Sequence, residues 1–275
     1  MSLRKPLRAV VTGAGSGLGR GFCRALARRG ARLVASDLDP ASAEATVAAL
    51  GGAEGHATRC DVSRLEEVEA LAAFAEARLG GVDLLVNNAG VAVGGRTGEI
   101  PLDDWRWLMG VNLWGVIFGC HVFVPRMAAQ GGGHLLNVAS AAGLANLPLM
   151  APYNVSKAGV IALSETLAGE LKSRGIGVTV LCPTFFQTNI AESARGLVGG
   201  ARDLATKLMA IAKLSADDVA AAALDAADAG RLYALPMAQA RWIWRFKRLW
   251  PERFVRLGTR AMQSQARKLG IEIEI

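Results

Sequence analysis

Arg8-Ala9-Val10-Val11-Thr12-Gly13-Ala14-Gly15-Ser16-Gly17-Leu18-Gly19 is the stretch that decides the architecture. A short apolar strand, Ala9 to Val11, runs into a glycine cluster, and a helix follows at once. Leu18, Phe22 and Leu26 recur every four residues, with Arg20, Arg24 and Arg28 on the opposite face, and Gly30 stops the run. Glycines in such a turn let the backbone bend sharply and approach a pyrophosphate, which would rest on the free N–H groups of the helix N-terminus.

Working outward, apolar runs alternate with helix-period segments, the pattern of a parallel sheet with crossover helices. Arg32 to Ser36, His56 to Cys60, Val82 to Asn87, His134 to Ser140, Val178 to Cys182 and Tyr233 to Leu235 read as further strands. Asp39-Pro40 opens one helix and Gly51 ends it, Ser63 with Glu66 predicts a capping box, and Ser215 or Asp217 caps a late helix. A long helix is expected over 103–130, where Pro125 predicts a kink or an early stop, and another over 151–174. After Pro183 the chain reads as a mobile stretch to about Leu214. The expectation is an α/β fold: one doubly wound parallel sheet with helices on both faces, over residues 1–236, and a helical tail over 237–275.

The chain has 275 residues, 52% of them hydrophobic, and a net charge of +7. That composition excludes a disordered chain, and four scattered cysteines exclude a disulfide scaffold. Residues 237–275 carry nine Lys and Arg against three acids, so the body is nearly neutral and the basicity belongs to the tail. A nucleic-acid-binding body is therefore not expected. Cys23, Cys60, Cys120 and Cys182 form no CxxC pair and read as buried, reduced thiols, which fits a cytoplasmic location. His56, His121 and His134 lack metal-ligand spacing, so no metal site is expected. The apolar run from Leu113 to Val124 is shorter than the roughly 18 residues of a membrane span.

Four side chains suggest chemistry. Tyr153 and Lys157 are four apart on one helix face, and an ammonium beside a phenol favours the phenolate. Ser140 stands at the C-terminal end of the fifth strand, where open α/β sheets place ligands. Asp37 ends the second strand, one helix and one strand beyond Gly19, where a carboxylate meets ribose hydroxyls and repels a 2′-phosphate.

With these residues in view, the chain resembles the short-chain dehydrogenase/reductase family over residues 7–236. Thr12 to Gly19 matches its TGxxxGxG, Asn87-Asn88-Ala89-Gly90 its NNAG turn, and Tyr153 to Lys157 its YxxxK, with Ser140 upstream at the family's spacing. The resemblance implies a Rossmann-like enzyme in which Tyr153 is general acid or base and Ser140 binds the substrate oxygen. Lys157 would hold the nicotinamide ribose and lower the Tyr153 pKa, and Asn112 would steady the helix and a water. Cofactor contacts are implied for Gly13, Gly15, Ser16, Gly17, Leu18, Gly19, Asp37, Leu38, Asp61, Val62, Asn88, Ala89, Gly90, Tyr153, Lys157, Pro183 and Thr188. Pro183-Thr184 departs from the family's Pro-Gly and puts the loop path there in question.

No cation stands at Ser16 or Leu38 to receive a 2′-phosphate, so NAD is the expected cofactor. Ala142, Leu144, Leu147, Leu149 and Met150, facing Phe185, Phe186 and the Ile190 to Met209 segment, would border a hydrophobic secondary alcohol or ketone. The alternatives are an NADPH-dependent carbonyl or 3-oxoacyl-thioester reductase, which Asp37 opposes, and a non-catalytic NAD(H) sensor, which the intact Ser, Tyr and Lys oppose. By resemblance the protein would be a homodimer or homotetramer pairing helices around 103–130 and 151–174. The tail places Trp242, Phe246 and Leu249 on one helical face and Arg241, Arg245 and Arg248 on another. Such a helix suits a lid, a subunit contact or weak contact with an anionic membrane surface.

Overall fold

The computed structural model describes residues 7–187, 194–196, 200–268 and 270. Seven parallel strands form one sheet in the order β3-β2-β1-β4-β5-β6-β7. They are β1 (Arg8–Thr12), β2 (Arg32–Asp37), β3 (Gly55–Arg59), β4 (Leu84–Asn87), β5 (Gly133–Val138), β6 (Ile176–Leu181) and β7 (Tyr233–Ala234). All of β4 is buried, because helices cover both faces of the central strands. The strand order reverses between β1 and β4, which opens a crevice at their C-terminal ends.

The first helices are α1 (Gly17–Arg28), α2 (Pro40–Ala48) and α3 (Leu65–Leu79). Asp39 caps α2 as its side chain accepts the Ala41 N–H at 3.1 Å, and Pro40 presets the first helical φ. The capping box expected at Ser63 and Glu66 does not form. Ser63 instead donates its hydroxyl to Asp61 Oδ1 at 2.7 Å, and Glu67 accepts the Asp61 N–H at 2.7 Å. The start of α3 is thus tied to the end of β3.

The helix expected over 103–130 is divided. A π-helical turn over Gly110–Trp114 separates α4 (Leu102–Met109) from α5 (Gly115–Ala129), and α5 runs on past Pro125 rather than stopping there. This 28-residue unit contains an 18-residue window with the mean hydropathy, 1.6, of a membrane span. In this fold it is the crossover between β4 and β5, and Val116, Phe123 and Met127 pack into the core.

Two short helices appear where loops are expected: α6 (Ala141–Ala145) after β5, and α8 (Ala201–Ala210) inside the stretch read as mobile. Between them α7 (Ala151–Glu170) crosses back to β6. Then α9 (Ala216–Asp228) opens with a Ser215–Asp218 capping box, and its Asp217 pairs with Arg24 of α1.

The tail forms α10 (Ala238–Leu249) and α11 (Pro251–Lys268). Its expected apolar face is split. Trp244 packs on Tyr233 with ring centroids 5.4 Å apart, and Phe246 packs on Phe254 at 6.0 Å. Trp242 and Leu249 point to solvent instead. The reason is tertiary: the body offers its docking surface on the side of Tyr233 and α6, so the helix turns Trp244 inward.

Candidate active site

The site is built where the β1 and β4 loops meet. Asn88 Nδ2 donates to the carbonyls of Thr12 (2.8 Å) and Gly13 (3.1 Å), and Thr12 Oγ1 accepts the N–H groups of Asn88 (3.0 Å) and Ala89 (3.1 Å). A Cβ on Gly19 would stand 1.9 Å from the Gly13 carbonyl, and one on Gly13, whose φ is 63°, would stand 2.7 Å from Ala89 Cα. Only glycine permits this approach. The role of Thr12 as the clamp between the two loops was not visible in the sequence, because its partners follow β4, three strands further along the chain.

The N-terminus of α1 opens into this crevice. Its Ser16 N-cap makes no side-chain cap hydrogen bond, and its first turn holds no acid. The positive end of the helix is therefore suited to an anionic group, and the cradle fits a dinucleotide pyrophosphate. Leu18 enters the core with its side chain, and so does Val62, which packs against Gly115. These two can meet a cofactor only through backbone. Asp37 Oδ2 accepts the Gly15 N–H at 2.8 Å, and Oδ1 accepts the Asp39 N–H at 3.2 Å. Leu38 beside it is exposed. Strand register sets Arg59 alongside Asp37, but its guanidinium is held by Glu67 at 2.6 Å. Asp61 Oδ1 accepts both the N–H and the hydroxyl of Ser63.

The four residues expected to be catalytic converge. The π turn directs Asn112 at the β4 loop: its Oδ1 accepts the Val91 N–H at 2.8 Å and its Nδ2 donates to the Val91 carbonyl at 2.9 Å. A Cβ on Gly90 would lie 3.4 Å from Asn112 Oδ1 and 3.6 Å from Lys157 Nζ. Ser140 caps α6, its Oγ accepting the Ala142 N–H at 3.1 Å. Gly143 lets α6 lie directly on α7, since a Cβ there would be 2.6 Å from the Lys157 carbonyl carbon. That contact sets Ser140 beside Tyr153, whose phenol pKa the serine hydroxyl lowers.

Electrostatics depart from one expectation. Lys157 is 3% exposed, donates to the Val138 carbonyl at 2.8 Å, and lies 5.8 Å from the centre of the Tyr153 ring. Burial lowers its pKa to about 8. For Tyr153, burial raises the pKa above its ordinary value, with the Ser140 hydrogen bond acting the other way. Burial, not the ammonium, sets the direction of the Tyr153 shift. The phenol is therefore protonated at neutral pH.

On the substrate side the residues separate. Leu147 abuts α11 near Gly258, and Leu149 takes a left-handed φ of 63° while its carbonyl accepts the Gly95 N–H at 2.8 Å. Ala142 and Met150 stay partly accessible, and Phe185 is 44% exposed. Leu144 and Phe186 belong to the hydrophobic core, so they are not available as a substrate wall. Pro183 is buried and its carbonyl accepts the Ala141 N–H at 2.8 Å, which fixes the loop path before Thr184. Thr188, 190–193 and 197–199 lie outside the described residues. A further element was missed: Arg195 lies over the Trp107 ring at 3.7 Å and pairs with Asp104 at 3.1 Å, tying the chain after β6 to α4.

Residues 8–196 match the family described as short chain dehydrogenase. The chain belongs to the short-chain dehydrogenase/reductase family. It is 38% identical over 219 residues to D-threitol dehydrogenase of Mycolicibacterium smegmatis, covering 78% of this chain and 84% of that protein. It is 39% identical over 227 residues to probable oxidoreductase EphD of Mycobacterium tuberculosis, covering 78% of this chain but only 38% of that longer protein. Among solved structures it is similar to a short-chain dehydrogenase/reductase of Burkholderia phymatum in complex with NAD. The TM-score is 0.84 at 38% identity, over 89% of this chain and 93% of that one.

Proposed function

We infer that this short-chain dehydrogenase/reductase is an NAD(H)-dependent dehydrogenase of hydrophobic secondary alcohols, or reductase of the matching ketones. The observation that carries the reading is the convergence of Ser140, Tyr153 and Lys157 beside the glycine crevice. When bound, the nicotinamide supplies or accepts the hydride. Ser140 and Tyr153 bind the substrate oxygen; the Tyr153 hydroxyl gives its proton to the developing alkoxide in reduction, and its phenolate takes the alcohol proton in oxidation. Lys157 would hold the nicotinamide ribose hydroxyls beside Tyr153. Asn112 fixes the β4 loop that borders the nicotinamide end. The Asp37 carboxylate would meet the adenosine ribose, and the free N–H groups of the first turn of α1, Gly17 to Gly19, would face the pyrophosphate.

NAD rather than NADP follows from charge. Asp37 holds its carboxylate at the end of β2 with exposed Leu38 next to it, and Arg59 is already paired. Asp37→Ser is expected to narrow the NAD-over-NADP ratio of kcat/KM by roughly tenfold or more, from one charge-assisted hydrogen bond lost and one repulsion relieved. Steady-state kinetics with both cofactors checks this, and a wild type that prefers NADP overturns it.

Apolar Leu147, Leu149, Met150 and Phe185 support a hydrophobic substrate. Identity to D-threitol dehydrogenase favours a second reading, a small polyol. NADH absorbance over a panel of secondary alcohols, steroids and four-carbon polyols separates them. Turnover is expected to be higher on the bulky apolar alcohols, and a large excess on polyols overturns the first reading. Exposed Trp114 and Val155 on the helices flanking the site support pairing with further copies of the chain.

A further inference from the structure

The outward side of α10 is left over when the fold and the site are accounted for. Trp242 is 71% exposed, Leu249 66% and Trp250 47%. Trp242 and Leu249 are seven apart, so they share one stripe along the helix. Arg245 lies beside that stripe and is exposed; Arg241 and Arg248 are exposed too, though Arg241 donates to the Leu235 carbonyl at 3.1 Å and Arg248 lies over the Trp244 ring at 5.1 Å. The segment Ala238–Leu249 contains no acidic residue. Its inward side is already satisfied by Trp244 on Tyr233, and Phe246 turns to Phe254 of α11. Among the described residues, none covers the outward side.

We propose that this face of α10 docks on an anionic lipid surface. The chemistry of the stripe selects the occupant. Two aromatic rings and a leucine gain by leaving water, and arginines beside them gain from phosphate headgroups at the same depth. A second copy of the chain fits poorly, because a two-fold contact would press these arginines against their own counterparts. A nucleic acid would neutralise the arginines but leave the apolar stripe wet. Charge is concentrated as this docking requires: the segment 237–275 holds a net +6, while the body before it is close to neutral. Held this way, the helix lies in the headgroup plane and keeps the enzyme at the membrane, where hydrophobic alcohols partition.

Sedimentation of the full chain with vesicles tests the inference. Binding is expected to phosphatidylcholine vesicles containing one third phosphatidylglycerol, and not to phosphatidylcholine alone. Trp242→Ser with Leu249→Ser is expected to lower the partition coefficient roughly tenfold or more. Arg245→Glu should lower it about tenfold, and added salt should weaken it. Both variants should keep the wild-type Tm and elution volume, since the substituted side chains are on the surface. The inference is overturned by absent sedimentation, by equal binding to neutral vesicles, or by a serine variant that binds as wild type does. A change of oligomeric mass in that variant makes the face a subunit contact and also overturns it. So does a DNA duplex that binds the chain with or without Trp242 and Leu249.

Discussion

Tyr153→Phe is expected to lower turnover by about 10²–10⁴-fold while NADH binding, followed by fluorescence, stays within about threefold. The ring volume is conserved, so α7 keeps its packing; only the hydroxyl that meets Ser140 is lost. The pH profile of the wild type carries the same information. Because burial holds the phenol protonated beyond its ordinary range, carbonyl reduction should be sustained through neutral pH and alcohol oxidation should rise toward alkaline pH. A Tyr153→Phe protein with activity within tenfold of wild type would show that the proton comes from elsewhere.

Lys157→Met is expected to abolish turnover and, at the same time, to stabilise the cofactor-free protein. A lysine whose pKa falls from 10.5 to about 8 on folding carries a penalty of about 3 kcal/mol at pH 7. Losing its hydrogen bond to the Val138 carbonyl returns about 1 kcal/mol of that. The net is about 2 kcal/mol, or roughly 5 °C in Tm for a chain of this size. The sign is fixed by linkage. Between about pH 8 and 10.5 the unfolded chain binds the proton that the folded chain has released, so wild-type stability rises with pH across that window. The advantage of the methionine variant should therefore be full below about pH 8 and fade as pH climbs toward 10.5. Calorimetry at neutral and alkaline pH checks it, and a variant less stable than wild type at pH 7 would refute the burial argument. The same residue would then couple function to a stability cost, a trade common at active sites.

Cysteine burial behaves as expected from composition. All four thiols are free and buried, and burial pushes each pKa up to about 12, which makes them poor nucleophiles. His134 is likewise buried, bonded to Thr179 at 2.9 Å, with its pKa lowered to about 4. These groups serve packing.

Much of the architecture could be read directly from the residues. Alternating apolar runs and amphipathic helices specify strands and crossovers, since each local pattern has only one way to bury its apolar face. The glycine turn, Asp37, the Asn88 turn and the Ser140–Tyr153–Lys157 spacing were legible for a related reason: backbone turns and helix faces are local. Where local signals competed, sequence reading failed. Ser63 could have capped α3 but is bonded to Asp61, and Pro125 looked like the break in a helix that actually changes geometry over Gly110–Trp114. Tertiary structure alone decided that Leu144 and Phe186 join the core, that Arg195 pins the post-β6 chain to Trp107, and that α10 buries Trp244 while exposing Trp242. It alone decided, too, that Tyr153 and Lys157 are buried enough for both pKa values to shift. Periodicity states which faces a helix has. Which of them meets protein, and how dry a site becomes, depend on elements distant in the chain that only folding brings together.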